Sequence, residues 1–155
     1  MEFAYYKVVD FPKHQKRQRA LPWIRVGIYN PEKYNLETSE GLIYPLGLID
    51  SGSDTTIIHR EIGEELGFDI ESGKEGEISG LGGGRIKVYF HKVGFKISDL
   101  MEKEEPIMYE DYAGFTDKHF PISNPQQTAI FGTVGFFNHL GVCFKYPESI
   151  WIEKL

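Results

Sequence analysis

The chain has 155 residues, 41% of them hydrophobic, and a formal net charge of −6. That length and apolar content suit one compact domain with a real core, read over 1–155 with residues 1–20 as an N-terminal extension or extra strand. The acidic balance argues against a nucleic-acid partner, whose binders present a basic face, and no apolar run approaches the eighteen residues that a membrane helix needs.

In chain order the first feature is KHQKRQR, Lys13 to Arg19, which reads as a solvated connection ahead of the strand at Trp23 and not as a binding patch. No basic stretch followed by a short apolar core precedes it, so the cytoplasm is the expected compartment. WIRVGIY alternates from Trp23 to Tyr29, a half-buried strand ended by Asn30-Pro31. Residues 32–41 are polar and predict a loop. LIYPLGLID then reads as a strand covered on both faces, with Pro45 restricting its pairing.

After Asp50-Ser51-Gly52, the stretch HREIGEELGF predicts one short helix stopped by Gly67. EISGLGGGRIKVYF predicts a glycine-tipped hairpin. Ile86, Val88 and Phe90 have the opposite parity to Val93, Phe95 and Ile97, which calls for a bulge or bend near 91–94. The stretches 98–105 and Phe115–Gln127 read as surface connections, within a long segment, 98–127, suited to a lid or a substrate-selecting wall. TAIFG predicts a strand, TVGFFNHL two helical turns, and VCFKY with SIWIE a final pair of strands. Cys143, alone in LGVCFKY, forms no internal disulfide and reads as a small buried hydrophobe.

The five histidines, His14, His59, His91, His119 and His139, lack zinc-binding spacing. No G-x-S-x-G elbow occurs, and GLGGG fails the dinucleotide pattern because Arg85 takes its last position. No metal or cofactor is expected. What remains is Asp50, an aspartate at the end of an apolar strand. Such a carboxylate loses hydration and needs donors. Ser51 and Ser53 supply hydroxyls, and Gly52 lets backbone amides approach. Taken alone the tripeptide reads as an Asx-turn or a helix cap, because short motifs match by chance.

Its context resembles the retropepsin-like aspartic proteases, in the single-domain, cellular type. LIDSGSDTTII, Leu48 to Ile58, is similar to the family's active-site loop. ISGLGGGRIKV, Ile78 to Val88, resembles its flap, and AIFG, Ala129 to Gly132, its second signature. The resemblance implies a mainly β, barrel-like fold with a flap hairpin and one or two short helices. Only one Asp-Ser-Gly occurs, so it also implies a two-fold homodimer acting on a peptide or protein. By that resemblance Asp50 is the catalytic acid/base, and the Ser51 hydroxyl bonds across the dimer axis. Gly52 lets the loop bend, and Gly132 packs against it. Ile78, Gly80, Leu81, Gly82 and Gly83 form the flap. Ser53 stands where many viral members have Ala, and its hydroxyl is expected to donate to the Asp50 carboxylate, lowering the apparent pKa values of the pair. The alternative is a catalytically inactive module that uses the same fold to dimerise or bind peptides.

Overall fold

The structure, a computed structural model, describes residues 1–9, 18–79, 83–99, 104–119 and 127–155. The basic cluster falls largely within 10–17, outside the described residues. Strand dominates. β1 (Glu2–Ala4) is followed by a two-stranded ribbon of β2 (Tyr6–Val9) and β3 (Gln18–Leu21). WIRVGIY, read as one strand, is two: β4 (Trp23–Arg25) and β5 (Gly27–Tyr29), separated by the fully buried Val26.

That break shapes the molecule. The remaining strands are β6 (Leu42–Ile43), β7 (Leu46–Ile49), β8 (Ile57–Ile58), β9 (Lys74–Ser79), β10 (Arg85–Ile97), β11 (Ile107–Thr116), β12 (Ala129–Phe131), β13 (Leu140–Lys145) and β14 (Ser149–Lys154). Nine strands form one sheet in the order β4-β7-β12-β8-β11-β10-β5-β6, with β9 on the far part of β10. β4 and β5 thus lie near opposite ends of a sheet although one residue separates them in sequence. The sheet must curl to bring its ends together, and it forms a half-barrel. The space enclosed holds Val26, Ile28, Ile58, Phe95, Phe115, Phe131 and Phe136, all fully buried. The mainly β expectation is met.

Several local expectations are corrected. No bulge interrupts β10: its register with β11 runs unbroken from Val88↔Thr116 to Ile97↔Ile107. The parity conflict disappears because the long twisted strand buries Val88 on one face and, further along, Val93, Phe95 and Ile97 on the other. Gly94, with no side chain, admits the Tyr29 ring; a Cβ there would lie 2.0 Å from Tyr29 Cε2. The stretch Phe115–Gln127 is not all surface connection, since Phe115 and Thr116 are buried residues of β11. Residues 133–139 are turns and not helix. Phe137 N–H donates to Gly132 O and Asn138 N–H to Thr133 O, spans of five residues, and Gly135 sits at φ +90°. The predicted helix does form, as α1 (Arg60–Glu65), with Gly67 at φ +74° past its end.

β13 and β14 pair as a hairpin, and β1 joins β14 to make a separate three-stranded sheet. Ile150 and Ile152 point into the core, which turns the opposite face, with Trp151 and its partner Cys143, outward. Cys143 is therefore exposed and not buried. Native protein is expected to react with a chromogenic disulfide reagent as fast as denatured protein does, with one thiol titrated; protection until denaturant is added would contradict the exposed position.

Candidate active site

β7 runs through the sheet and delivers Asp50 to its end, and β8 leaves from the same end seven residues later. These two strands do not pair with each other. β12 lies between them, parallel to β7 and antiparallel to β8. The loop 50–56 therefore arches across the end of β12, and the chain leaving β12 runs along its underside.

Five hydrogen bonds join the two. Asp50 N–H donates to Phe131 O at 3.0 Å, Thr133 N–H to Ser53 O at 2.9 Å, and Val134 N–H to Asp54 O at 3.0 Å. Thr56 N–H donates to Val134 O at 2.8 Å, and Gly132 N–H to the buried Thr56 Oγ1 at 3.1 Å. A Cβ on Gly132 would lie 2.4 Å from Thr55 O, so the contact is backbone on backbone. Asp50 itself is half-buried, while Ser51 and Gly52 are exposed. Its Oδ1 accepts the Gly52 N–H at 2.9 Å. Its Oδ2 and the Ser51 hydroxyl make no hydrogen bond with the described residues. One carboxylate oxygen is thus fixed by the loop and the other remains open to accept or give a proton.

Ser53 does not serve the carboxylate. Its hydroxyl proton goes to Thr55 O at 2.8 Å, and a hydroxyl has only one to give. The expected donation to Asp50 is replaced by a brace inside the loop. Ser53→Ala should accordingly leave the pH dependence of any Asp50 chemistry in place and cost on the order of 1 kcal/mol of stability. A displaced alkaline limb in a pH–rate profile would restore the original assignment.

The glycine-tipped hairpin is β9 with the first part of β10, registered from Phe90↔Lys74 to Arg85↔Ser79, with Ile78 opposite Ile86. Exposed ion pairs Lys87–Glu75 and Arg85–Glu77 cross it. Gly83 adopts φ +79°, and a Cβ on it or on Gly84 would meet nothing within 4 Å. Gly80, Leu81 and Gly82 lie outside the described residues.

Sequence reasoning missed the group that holds the underside of the loop. Asp111, on β11, accepts the Gly135 N–H at 3.1 Å and lies 2.9 Å from His139 Nε2. Tyr109 O–H donates to Gly135 O at 3.2 Å. The Tyr109 ring is stacked between Phe95 and His139, and burial, reinforced by Asp111, pushes its hydroxyl pKa far above the usual value. These side chains hold Gly135 next to Val134, which carries two of the five loop bonds. The only signal in the sequence was an acidic residue in a stretch rich in tyrosine, which does not announce a turn 24 residues away. Among the described residues no three His, Cys, Asp or Glu side chains are placed to hold a metal ion.

No protein-family model matches the chain, and no curated protein matches it in sequence. Among solved structures, EIAV protease complexed with the inhibitor HBY-793 is similar, with 18% identity over 80% of this chain and 88% of that chain, at a TM-score of 0.42. The chemistry is read from the residues.

Proposed function

We propose that the chain is one half of a homodimeric aspartic endopeptidase, hydrolysing peptide bonds with a water held between Asp50 and its counterpart in a second copy. The observation that carries this reading is the Asp50 loop. A short loop is tied at five points to the end of β12 and the chain leaving it, yet it presents one carboxylate oxygen and the Ser51 hydroxyl without partners among the described residues. A turn residue or a helix cap needs no such backing.

One carboxylate cannot both take a proton from water and give one to the substrate. Two facing each other can, because close carboxylates share a single proton. The ionised member removes a proton from the water as it attacks the peptide carbonyl, and the protonated member supplies one to the tetrahedral centre. In this reading the exposed Ser51 hydroxyl bonds the opposite loop. The hairpin of β9 and the first part of β10 supplies main-chain groups to an extended substrate, with Gly83 and Gly84 free of neighbouring contacts. β14 already has β1 on one side and β13 on the other. A partner strand therefore has no place beside β14, and in this reading the loops and hairpins carry the contact.

Incubation with a mixed peptide library from acidic to neutral pH, with and without a pepstatin-like inhibitor, tests the reading. Inhibitor-sensitive cleavage on the acidic side is expected. Absence of cleavage at every pH would overturn it in favour of a binding module.

A further inference from the structure

The peptide groups on either side of Gly135 are held by side chains. Asp111 Oδ2 accepts the Gly135 N–H at 3.1 Å, and Gly135 O accepts the Tyr109 hydroxyl at 3.2 Å. Both oxygens of that carboxylate are engaged: Oδ1 takes the Tyr112 N–H at 2.8 Å, and Oδ2 also faces His139 Nε2 at 2.9 Å. An ionised carboxylate has no proton to give, so His139 Nε2 carries the shared one and donates it. The His139 ring lies on Tyr109, with centroids 4.3 Å and planes 19° apart, which fixes where the hydroxyl points. Asp111 in turn stands within the ladder of β10 and β11, opposite Val93, so the hold is anchored on the longest paired strands of the molecule.

From Gly135 the hold reaches the Asp50 loop by two routes. Its neighbour Val134 donates to Asp54 O and accepts the Thr56 N–H. Gly135 also lies directly against Thr56, since a Cβ on it would stand 2.8 Å from Thr56 Oγ1, the atom that accepts the Gly132 N–H. A displacement of Gly135 must therefore carry Val134 and Thr56 with it. A turn that only reversed the chain would not need two side chains committed to one residue.

We infer that Asp111, Tyr109 and His139 are positioning residues for Asp50: by holding Gly135 they set where the loop stands, and with it the separation of the two aspartates in a working dimer. The effect on turnover rests on the peptidase reading of Asp50; the effect on the loop does not. Separation matters because carboxylates share a proton less strongly as they draw apart. A misplacement of about 1 Å costs up to about 10²-fold in rate.

Two variants of the full-length protein test this. Asp111→Asn leaves one acceptor oxygen where there were two, so an NH2 group must face either the Tyr112 N–H or the Gly135 N–H. Tyr109→Phe removes only the hydroxyl and keeps the ring between Phe95 and His139. Amide hydrogen exchange, followed by NMR, needs no activity. In either variant the amides of Thr56, Thr133 and Val134 are expected to exchange about fivefold faster or more, with those of the β13–β14 hairpin unchanged. Unchanged exchange at these three amides would overturn the inference, as would acceleration shared equally by the hairpin, which would signal global destabilisation. Turnover of a labelled peptide is the second readout. A kcat lowered about tenfold or more is expected, with KM within about twofold and the two limbs of the pH–rate profile drawn closer together. Lost stability alone would only reduce the active fraction, so a lower kcat with both limbs in place would refute the positioning role, as would an unchanged kcat. If the wild-type protein cleaves no peptide, the peptidase reading is what fails, and the exchange data alone decide whether these residues set the loop.

Discussion

Asp50→Asn is expected to reduce peptide hydrolysis by at least about 10³-fold, because a dimer loses both its general base and its general acid. The change should be confined to chemistry. The Asn side-chain oxygen can still accept the Gly52 N–H that Asp50 Oδ1 accepts now, and the five bonds to 131–134 involve no carboxylate atom. Turnover of a labelled peptide, sedimentation and thermal unfolding together check this: lost turnover with an unchanged dimer and melting point is the expected pattern. Retained turnover would remove Asp50 from the mechanism. The pH dependence has a definite sign. The working pair holds one proton, so activity falls as pH rises through the upper apparent pKa of the pair and that proton is lost. It falls again as pH drops through the lower one and the base is protonated. Neither limb should move in Ser53→Ala.

The second large effect is on stability. Gly132→Ala introduces a methyl group 2.4 Å from Thr55 O, 2.6 Å from Thr55 C and 2.7 Å from Ser53 O. All three are main-chain atoms, which no rotamer change can move aside. Either β12 withdraws and the hydrogen bonds of the loop are lost, or the loop itself is displaced. A loss of about 3 kcal/mol or more is expected, at the upper end of overpacking costs. The urea midpoint measures it, with Gly84→Ala as the control, since a Cβ at Gly84 meets nothing within 4 Å. A Gly132 variant as stable as the control would mean that the loop and β12 are not in contact.

The difference between these two glycines was not visible in the sequence, where both stand in short glycine-containing runs. What the sequence carried well was local periodicity: the helix before Gly67, the hairpin read over 77–90 and the last two strands. It failed where a residue's neighbour is distant. β11 lacks clean alternation because Ala113 and Phe115 face the core while Gly114 packs under Val88. The run TVGFFNHL has helix-like spacing, but Val134 is committed to Thr55 and Thr56 and Gly135 to Asp111, so its backbone follows the loop it supports. Cys143 has apolar neighbours in sequence, yet it sits on the outer face of its sheet. Asp50 was legible because its flanking pattern is local; the partners that hold its loop were not, being about 80 residues away.

That separation bears on the order in which the protein becomes competent. β7 and β8 are made early, but they leave a gap that only β12 fills, and β12 is followed by the turn held by Asp111 on β11. Until residues 129–135 have been synthesised and have threaded between the two earlier strands, the loop bearing Asp50 has nothing beneath it. Loop-closure entropy over such distances makes this pairing a late event in folding. A nascent or truncated chain lacking those residues would carry the aspartate without its shape. The fold thereby gives the Asp50 loop its shape only once residues 129–135 are in place.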